Sequence, residues 1–244
     1  MSLLGPLPVS AQDLVVAAAS DLESVLPTLA QRFEMESGGH VTVTFGSSGN
    51  FFSQIRNGAP FDLYLSADAD YPRQLDALGL IERGTLLPYA VGRLVLWTRR
   101  DTSIDVVKGP QALTDSRVKR VAVANPDHAP YGRAAVAALR HLGLYDAVRE
   151  KLVVGESVAQ AAQFVHSGNA DAGFIALSLA RTPALQSVGT YFEVPESWHP
   201  PLVQTAAVLA AARTKTAAKR FLAFLNLPES VASLRQAGFT VPER

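Results

Sequence analysis

The stretch Phe45-Gly46-Ser47-Ser48-Gly49-Asn50 decides the fold. It follows a β-branched run, residues 41–44, and precedes a segment of helical character, residues 51–56. The order is therefore strand, small polar loop and helix. Such a loop ends at a helix N-terminus, where backbone N–H groups without a helical partner and the positive end of the helix dipole can bind an anion.

Composition narrows the class of protein. The 244 residues suffice for one large domain or two small ones, and the formal net charge of zero gives no sign of a nucleic acid or membrane-surface partner. No apolar run reaches the roughly 20 residues that a membrane span needs. Because the chain has no cysteine, disulfides, thiolate metal sites and cysteine nucleophiles are excluded.

The first eleven residues suggest an exported protein. Val9-Ser10-Ala11 has the small residues that end a secretory signal, and we expect the mature chain to begin near Gln12. Residues 1–11 would then consist of vector-derived residues 1–3 followed by a signal remnant. A plain disordered N-terminus is the alternative.

Alternating strand and helix patterns predict an α/β protein. A buried strand at residues 14–18 is followed by helical spacing of apolar residues up to Phe33, and the β-α-β-α-β order continues to residue 68. From Tyr89 the pattern shifts, which indicates a second lobe. We predict two lobes, each a mixed, mostly parallel sheet flanked by helices, with a ligand cleft between them.

The predicted lobes share the chain unequally. Lobe 1 takes residues 12–90 and 205–244, and lobe 2 takes residues 91–204. A hinge is expected where the chain crosses between them, at residues 94–97 and 203–207.

Small polar residues occur at four predicted strand-to-helix junctions. In open α/β sheets, ligands bind beyond the carboxyl ends of the strands, so two facing lobes would direct these junctions into one cleft. N–H and hydroxyl donors without an obligatory lysine or arginine suit a small oxyanion. The junctions are Ser20-Asp21, Ser47-Ser48-Gly49, Pro130-Tyr131-Gly132 and Ser157-Val158.

An ordered set of short motifs, covering roughly residues 13–242, resembles the periplasmic molybdate-binding proteins of ABC importers. This resemblance implies the type II periplasmic-binding-protein fold. The motifs are Ala17-Ala18-Ala19-Ser20, Phe45-Gly46-Ser47-Ser48-Gly49, Gly58-Ala59-Pro60-Phe61-Asp62 with Ser66-Ala67-Asp68, Gly92-Arg93-Leu94-Val95-Leu96-Trp97, Asn125-Pro126 with Ala129-Pro130-Tyr131-Gly132, and Gly173-Phe174-Ile175-Ala176-Leu177-Ser178.

The resemblance also implies a site and a function. The ligand, molybdate or tungstate, would be held by hydrogen bonds at Ser20, Asp21 and Ser48 and at the main chain of Tyr131 and Val158. No side chain would coordinate the metal, and no cofactor or catalysis is expected. The implied protein is a periplasmic monomer, without membrane insertion of the mature chain, that delivers its ligand to the membrane permease of an ABC importer.

Two positions depart from the expected site. Some family members place a tyrosine hydroxyl where this sequence has Ala176. Asp21 puts a carboxylate beside a proposed dianion, where its N–H would help and its charge would not.

Several alternatives remain open at the level of sequence. Ser20 begins a capping-box pattern with Glu23 and could serve only as a helix cap, and Tyr131 could serve only in packing. The five histidines show no metal-binding spacing and are interpreted as surface or locally bonded residues. Asp62 is interpreted as structural, and Asp68 as the start of a helix.

The ligand and the class of protein also have alternatives. Sulfate and phosphate are other tetrahedral oxyanions, and Asp21 could accept the proton of a phosphate. An enzyme on the same architecture is the rival class. The related deaminase of tetrapyrrole synthesis needs a cysteine that this chain lacks, and Gly46-Ser47-Ser48-Gly49 lacks the spacing of a nucleophile elbow.

Overall fold

The computed structural model describes residues 13–241 as two five-stranded sheets flanked by helices. The expected signal remnant, residues 1–11, lies outside the described residues, as does Gln12. The strands are β1 (Leu14–Ala19), β2 (Val41–Gly46), β3 (Leu63–Ser66), β4 (Leu87–Gly92), β5 (Leu94–Arg99), β6 (Val121–Ala124), β7 (Leu152–Gly155), β8 (Ala172–Ala176), β9 (Gly189–Glu193) and β10 (Leu202–Val208).

Ten α-helices connect or cover these strands within residues 13–241. They are α1 (Leu26–Ser37), α2 (Ser48–Arg56), α3 (Asp70–Ala77), α4 (Pro130–His141), α5 (Tyr145–Val148), α6 (Val158–His166), α7 (Leu177–Ala180), α8 (Pro183–Val188), α9 (Lys215–Leu225) and α10 (Pro228–Ala237). Short 3₁₀ turns lie at Ser20–Ser24, Val106–Lys108, Pro110–Thr114, Arg149–Lys151 and Glu196–Trp198.

The two sheets have the same plan. The first has the order β2-β1-β3-β10-β4 and the second β7-β6-β8-β5-β9. In each sheet the first three strands pair in parallel and the last two join antiparallel. The predicted two-lobed α/β fold with mixed sheets is therefore confirmed, although antiparallel pairs make up half of the pairings in each sheet.

The chain changes sheet at Arg93. β4 ends at Gly92 in the first sheet and β5 begins at Leu94 in the second, while the return passes through residues 194–201 before β10. The predicted hinge segments, residues 94–97 and 203–207, instead lie inside β5 and β10, where ladders on both sides leave little freedom to bend. The lobe boundaries stay a prediction, and sheet membership favours Arg93 and residues 194–201 as the crossings.

Apolar residues form a core on each sheet, and Ala19 and Ala67 of the first lobe join the core of the second. In the first lobe, Phe33 of α1 packs edge-on against Phe221 and Phe224 of α9, with ring centroids 4.9 and 5.5 Å apart. Helix α9, from the C-terminal part of the chain, therefore completes the core begun by the first helix. In the second lobe, Trp97 and Phe174 are fully buried among alanine and valine side chains.

No helix within residues 13–241 has the length and hydrophobicity to cross a membrane.

Candidate functional site

A small pocket lies between the lobes, beyond the carboxyl ends of β1, β2 and β6. All five predicted ligand residues line this pocket, together with small neighbours such as Ala19, Gly46 and Ala67. Two come from lobe 2 and three from lobe 1. The five are Ser20, Asp21, Ser48, Tyr131 and Val158.

Ser48 presents a hydroxyl proton to the pocket. It is the first residue of α2 and is 1% exposed, and its Oγ accepts the N–H of Ala67 at 3.0 Å. Its main-chain carbonyl accepts a hydrogen bond from the hydroxyl of Tyr64 at 2.8 Å, which holds the loop against β3. Because the Oγ already accepts a bond, the hydroxyl proton is the part of Ser48 that remains to be donated to an anion.

Ser20 does not cap its helix, so the capping-box interpretation is wrong. The chain enters a 3₁₀ turn at Ser20 and α1 begins only at Leu26, with no side-chain cap at either start. The Oγ of Ser20 instead accepts the N–H of Ala159 from lobe 2 at 3.3 Å. As at Ser48, the hydroxyl proton is left for donation into the pocket.

The N-terminus of α6 leaves one N–H for a ligand. The Oγ of Ser157 caps the helix by accepting the N–H of Gln160 at 3.2 Å, and Ser20 takes the N–H of Ala159. The N–H of Val158 has no acceptor within its own helix. Of the first three residues of α6, Val158 is thus the one available to bind an anion.

The N-terminus of α4 also leaves a single N–H group for a ligand. Pro130 has no N–H, and Gly132 and Arg133 both donate to the carbonyl of Ala129, at 3.0 and 3.1 Å. The N–H of Tyr131 is therefore the free donor of this turn. The turn packs so tightly that a Cβ on Gly132 would lie 2.1 Å from the carbonyl oxygen of Ala124, which requires glycine here.

The Asp21 side chain contacts protein groups from both lobes. Its Oδ2 accepts hydrogen bonds from the hydroxyl of Tyr131 at 3.0 Å and from the Nε2–H of Gln204 at 2.8 Å. The main-chain carbonyl of Asp21 accepts a hydrogen bond from the hydroxyl of Ser178 at 2.7 Å. Burial raises the pKa of the Asp21 carboxyl group to about 7, and the hydrogen bonds from Tyr131 and Gln204 oppose this rise.

The missing tyrosine hydroxyl has no direct substitute. Ala176 is fully buried, pairs with Leu94 in the second sheet, and does not line the pocket. The hydroxyl of Tyr131 is held by Asp21, and the ring is buried. Tyr131 thus both packs at the cleft and links the lobes.

His128 joins the lobes, a role that the sequence did not predict. Its carbonyl accepts the hydroxyl of Ser47 and the N–H of Gly49, both at 2.8 Å, and its Nδ1 lies 2.7 Å from the Oγ of Ser47. The nearby Glu156 Oε2 lies 3.4 Å from its Nε2. The interpretation of His128 as a surface or locally bonded histidine is therefore wrong, because its partner Ser47 lies 81 positions away and the two loops meet only after folding.

An ion pair adds a further inter-lobe contact. Arg133 of α4 bonds the Oδ2 of Asp68 and the hydroxyl of Tyr71, the latter at 3.1 Å. Asp68 Oδ1 also accepts the N–H of Tyr71 at the start of α3, and Asp62 accepts three main-chain N–H groups. Asp62 is thus structural and Asp68 lies at a helix start, as predicted.

Residues 13–241 contain no group of three or more histidine, aspartate or glutamate residues arranged to hold a metal ion. The pocket instead offers hydroxyl and N–H donors in a small space between two α/β lobes. This combination is typical of proteins that bind small solutes. The family of bacterial extracellular solute-binding proteins matches residues 14–240, and the chain belongs to that family.

Molybdate-binding proteins are among its relatives, which confirms the resemblance inferred from the motifs. The chain is 37% identical to the molybdate-binding protein ModA of Azotobacter vinelandii over 94% of this chain and 90% of that protein. It is also 37% identical to ModA of Rhodobacter capsulatus, over 96% and 90%. The structure matches the periplasmic molybdate-binding protein of Azotobacter vinelandii with a TM-score of 0.89, at 35% identity, covering 94% of this chain and all of that one.

Proposed function

We propose that this protein binds molybdate in the inter-lobe pocket. The observation that carries the proposal is that only a few hydrogen-bond donors at the pocket are left without a protein acceptor. Two serine hydroxyls and the free N–H groups of Tyr131 and Val158 converge on one pocket that all of the predicted residues line. The identity to molybdate-binding relatives supports this ligand.

The chemistry of the pocket fits a dianion held by neutral groups. No lysine or arginine lines it, so hydrogen bonds must offset the cost of removing the ion from water. Hydrogen bonds to a charged acceptor are stronger than those between neutral groups. Donors from both lobes would surround a tetrahedral ion, and the ion would favour the closed form through contacts made only there.

The wider role follows from the family. We infer a periplasmic monomer that passes molybdate to the membrane permease of an ABC importer and catalyses no reaction. Tungstate should bind as tightly as molybdate, because the two ions match in charge, shape and size. No cofactor is part of the proposal.

Calorimetric titration with molybdate, tungstate, sulfate and phosphate tests this function. We expect tight and similar binding of molybdate and tungstate and much weaker binding of sulfate, which is too small to reach every donor of a rigid pocket. Comparable affinity for sulfate would contradict the molybdate assignment.

Phosphate remains the second candidate because of Asp21. Its buried Oδ1 has no partner within residues 13–241, so it could accept the proton of a hydrogen phosphate ion. Its Oδ2, however, is directed to Tyr131 and Gln204 rather than left for a ligand. Phosphate binding tighter than molybdate in the same titration would favour this candidate.

A further inference from the structure

The Asp21 carboxyl group has two oxygen atoms in different situations. Oδ2 accepts hydrogen bonds from Tyr131 and from the Nε2–H of Gln204, whereas Oδ1 is buried without a partner. In the side chain of Gln204, the amide oxygen Oε1 is also buried without a partner. Both side chains are fully buried, so within the described part of the chain two adjacent side chains each leave one acceptor unsatisfied.

A single proton shared by these two oxygens would give both of them a hydrogen-bond partner. A carboxylic acid and a primary amide can form a ring of two hydrogen bonds, in which the amide N–H donates to one acid oxygen and the acid O–H donates to the amide oxygen. The first bond is present, from Nε2 of Gln204 to Oδ2 of Asp21 at 2.8 Å. The second needs a proton on Oδ1. An unsatisfied buried acceptor costs about 1–3 kcal/mol, so this proton would relieve two such costs.

We propose that Asp21 is a neutral carboxylic acid paired with Gln204 in the closed, ligand-bound protein, so that capture of the anion takes up one proton. The proposal rests on the proposed function, because it requires a dianion in the adjacent pocket. A neutral Asp21 explains how a fully buried acidic residue can line a pocket for a dianion. The ionised form would instead repel the ligand at short range in a medium that screens poorly.

The surroundings of Asp21 favour the neutral form. The groups that face it are the hydroxyls of Tyr131 on α4 and Tyr89 on β4, the amide of Gln204 on β10, and Glu23 on its own turn. No lysine, arginine or histidine within residues 13–241 contacts the carboxyl group, so no cation offsets a negative charge there. Burial raises the pKa of Asp21 to about 7, and the charge of Glu23 raises it further.

Opening of the cleft should release the proton. Tyr131 and Ser178, both from lobe 2, are bonded to Asp21 and shield it from water. Once they withdraw, Asp21 returns towards the ordinary aspartate pKa of about 4 and ionises at neutral pH. The closed form then binds more protons than the open form, and affinity must fall as pH rises wherever the two forms differ. Because a bound dianion raises the pKa of Asp21 in the closed form still further, this range extends to neutral pH.

Calorimetry in buffers with different ionisation enthalpies counts the protons taken up. We expect close to one proton per molybdate near pH 6.5, and an affinity that falls by about tenfold per pH unit between about pH 5.5 and pH 7. Wild-type protein alone decides this point: binding of molybdate without proton uptake would overturn the inference and leave the proposed function intact. Absence of any molybdate binding would overturn both.

A pair of variants identifies the group that takes up the proton. Asp21→Asn can form both bonds with Gln204 without a proton, since its amide donates to Oε1 and accepts from Nε2. Its affinity should be nearly independent of pH and should exceed that of the wild type at about pH 8, where the wild type is disfavoured. Glu23→Gln is the control, because Glu23 is the neighbouring carboxylate, and it should keep the wild-type slope. Loss of proton uptake in Glu23→Gln but not in Asp21→Asn would overturn the assignment to Asp21.

Discussion

The serines of the cleft differ in what their hydroxyl groups already bond. Ser47 donates to the carbonyl of His128, so its proton is used in holding the lobes together. Ser20 and Ser48 only accept, from Ala159 and Ala67, and their protons are free. The same residue type therefore has a structural role at one position and a ligand-facing role at the next.

Replacing Ser48 by alanine should weaken molybdate binding. The change removes a donor to a charged acceptor, a loss of roughly 1.5–3 kcal/mol or about ten- to a hundredfold in affinity. Calorimetry measures it directly. Ser53→Ala, at an exposed position of the same helix, is the matched control and should bind as the wild type does. Equal affinities of the two variants would remove Ser48 from the site.

At the scale of the element, α4 and α6 have the same pattern of hydrogen bonds at their N-termini. In each helix the first-turn N–H groups are satisfied by a capping group or by a nearby acceptor, except for one that borders the pocket. An anion there also gains from the positive end of the helix dipole. Two helix N-termini therefore act as two single donors rather than as a diffuse positive surface.

Capping and ligand binding can be separated by two serine variants. Ser157→Ala removes the cap of α6 and should lower the free energy of unfolding by about 1 kcal/mol. Ser20→Ala should lower molybdate affinity to a similar extent as Ser48→Ala while leaving the stability of the ligand-free protein nearly unchanged, because Ser20 caps no helix of its own lobe and its bond to Ala159 crosses the cleft, which we expect to open without ligand. Chemical denaturation and calorimetry measure the two effects. A stability loss in Ser20→Ala without a change in affinity would restore its interpretation as a cap.

The start of α4 should not tolerate a larger residue. Gly132→Ala would place a Cβ against the carbonyl oxygen of Ala124, so the helix N-terminus must move away from β6. Overpacking of this kind costs typically about 1–3 kcal/mol of stability, and the displaced N–H of Tyr131 should also weaken binding. Thermal denaturation and calorimetry test both. Unchanged affinity would show that this turn does not position a ligand donor.

At the scale of the whole molecule, the closed form is held by contacts that all cross the cleft. They include the bonds of His128 with the loop at Ser47 and Gly49, and the pairing of Arg133 with Asp68. Within residues 13–241, two chain segments, Arg93 and residues 194–201, connect the sheets. Few connections and polar contacts favour a hinge motion over a rigid body.

Closure on molybdate should therefore be visible in solution. Small-angle X-ray scattering should give a smaller radius of gyration at saturating molybdate than without it, because the ligand binds donors of both lobes only in the closed form. Arg133→Ala removes an inter-lobe ion pair and should bind molybdate somewhat more weakly while it still closes. Identical scattering curves with and without ligand would indicate a preformed closed site.

Local patterns predicted most of the fold and five residues that line the pocket. The buried strand predicted at residues 14–18 is part of β1, and small polar residues marked four strand-to-helix junctions that do approach one cleft. Less was predicted at β9, where Gly189–Glu193 pairs at the outer edge of the second sheet. This strand lies between α8 and a proline-containing segment, and no alternating pattern marked it in the sequence. An edge strand depends on its pairing partner more than on its own periodicity.

The sequence by itself determined the two α/β lobes, the small polar junctions that follow the strands and the residue types at the pocket. These depend on short-range periodicity, capping preference and turn chemistry, which are read within a few residues. Only the tertiary structure decided the partners of those residues: that Ser20 bonds Ala159 rather than its own helix, and that Asp21 meets Tyr131 and Gln204. These partners lie more than a hundred positions away in the chain. A side chain that can accept one of several bonds takes the one that the packed lobes bring within reach.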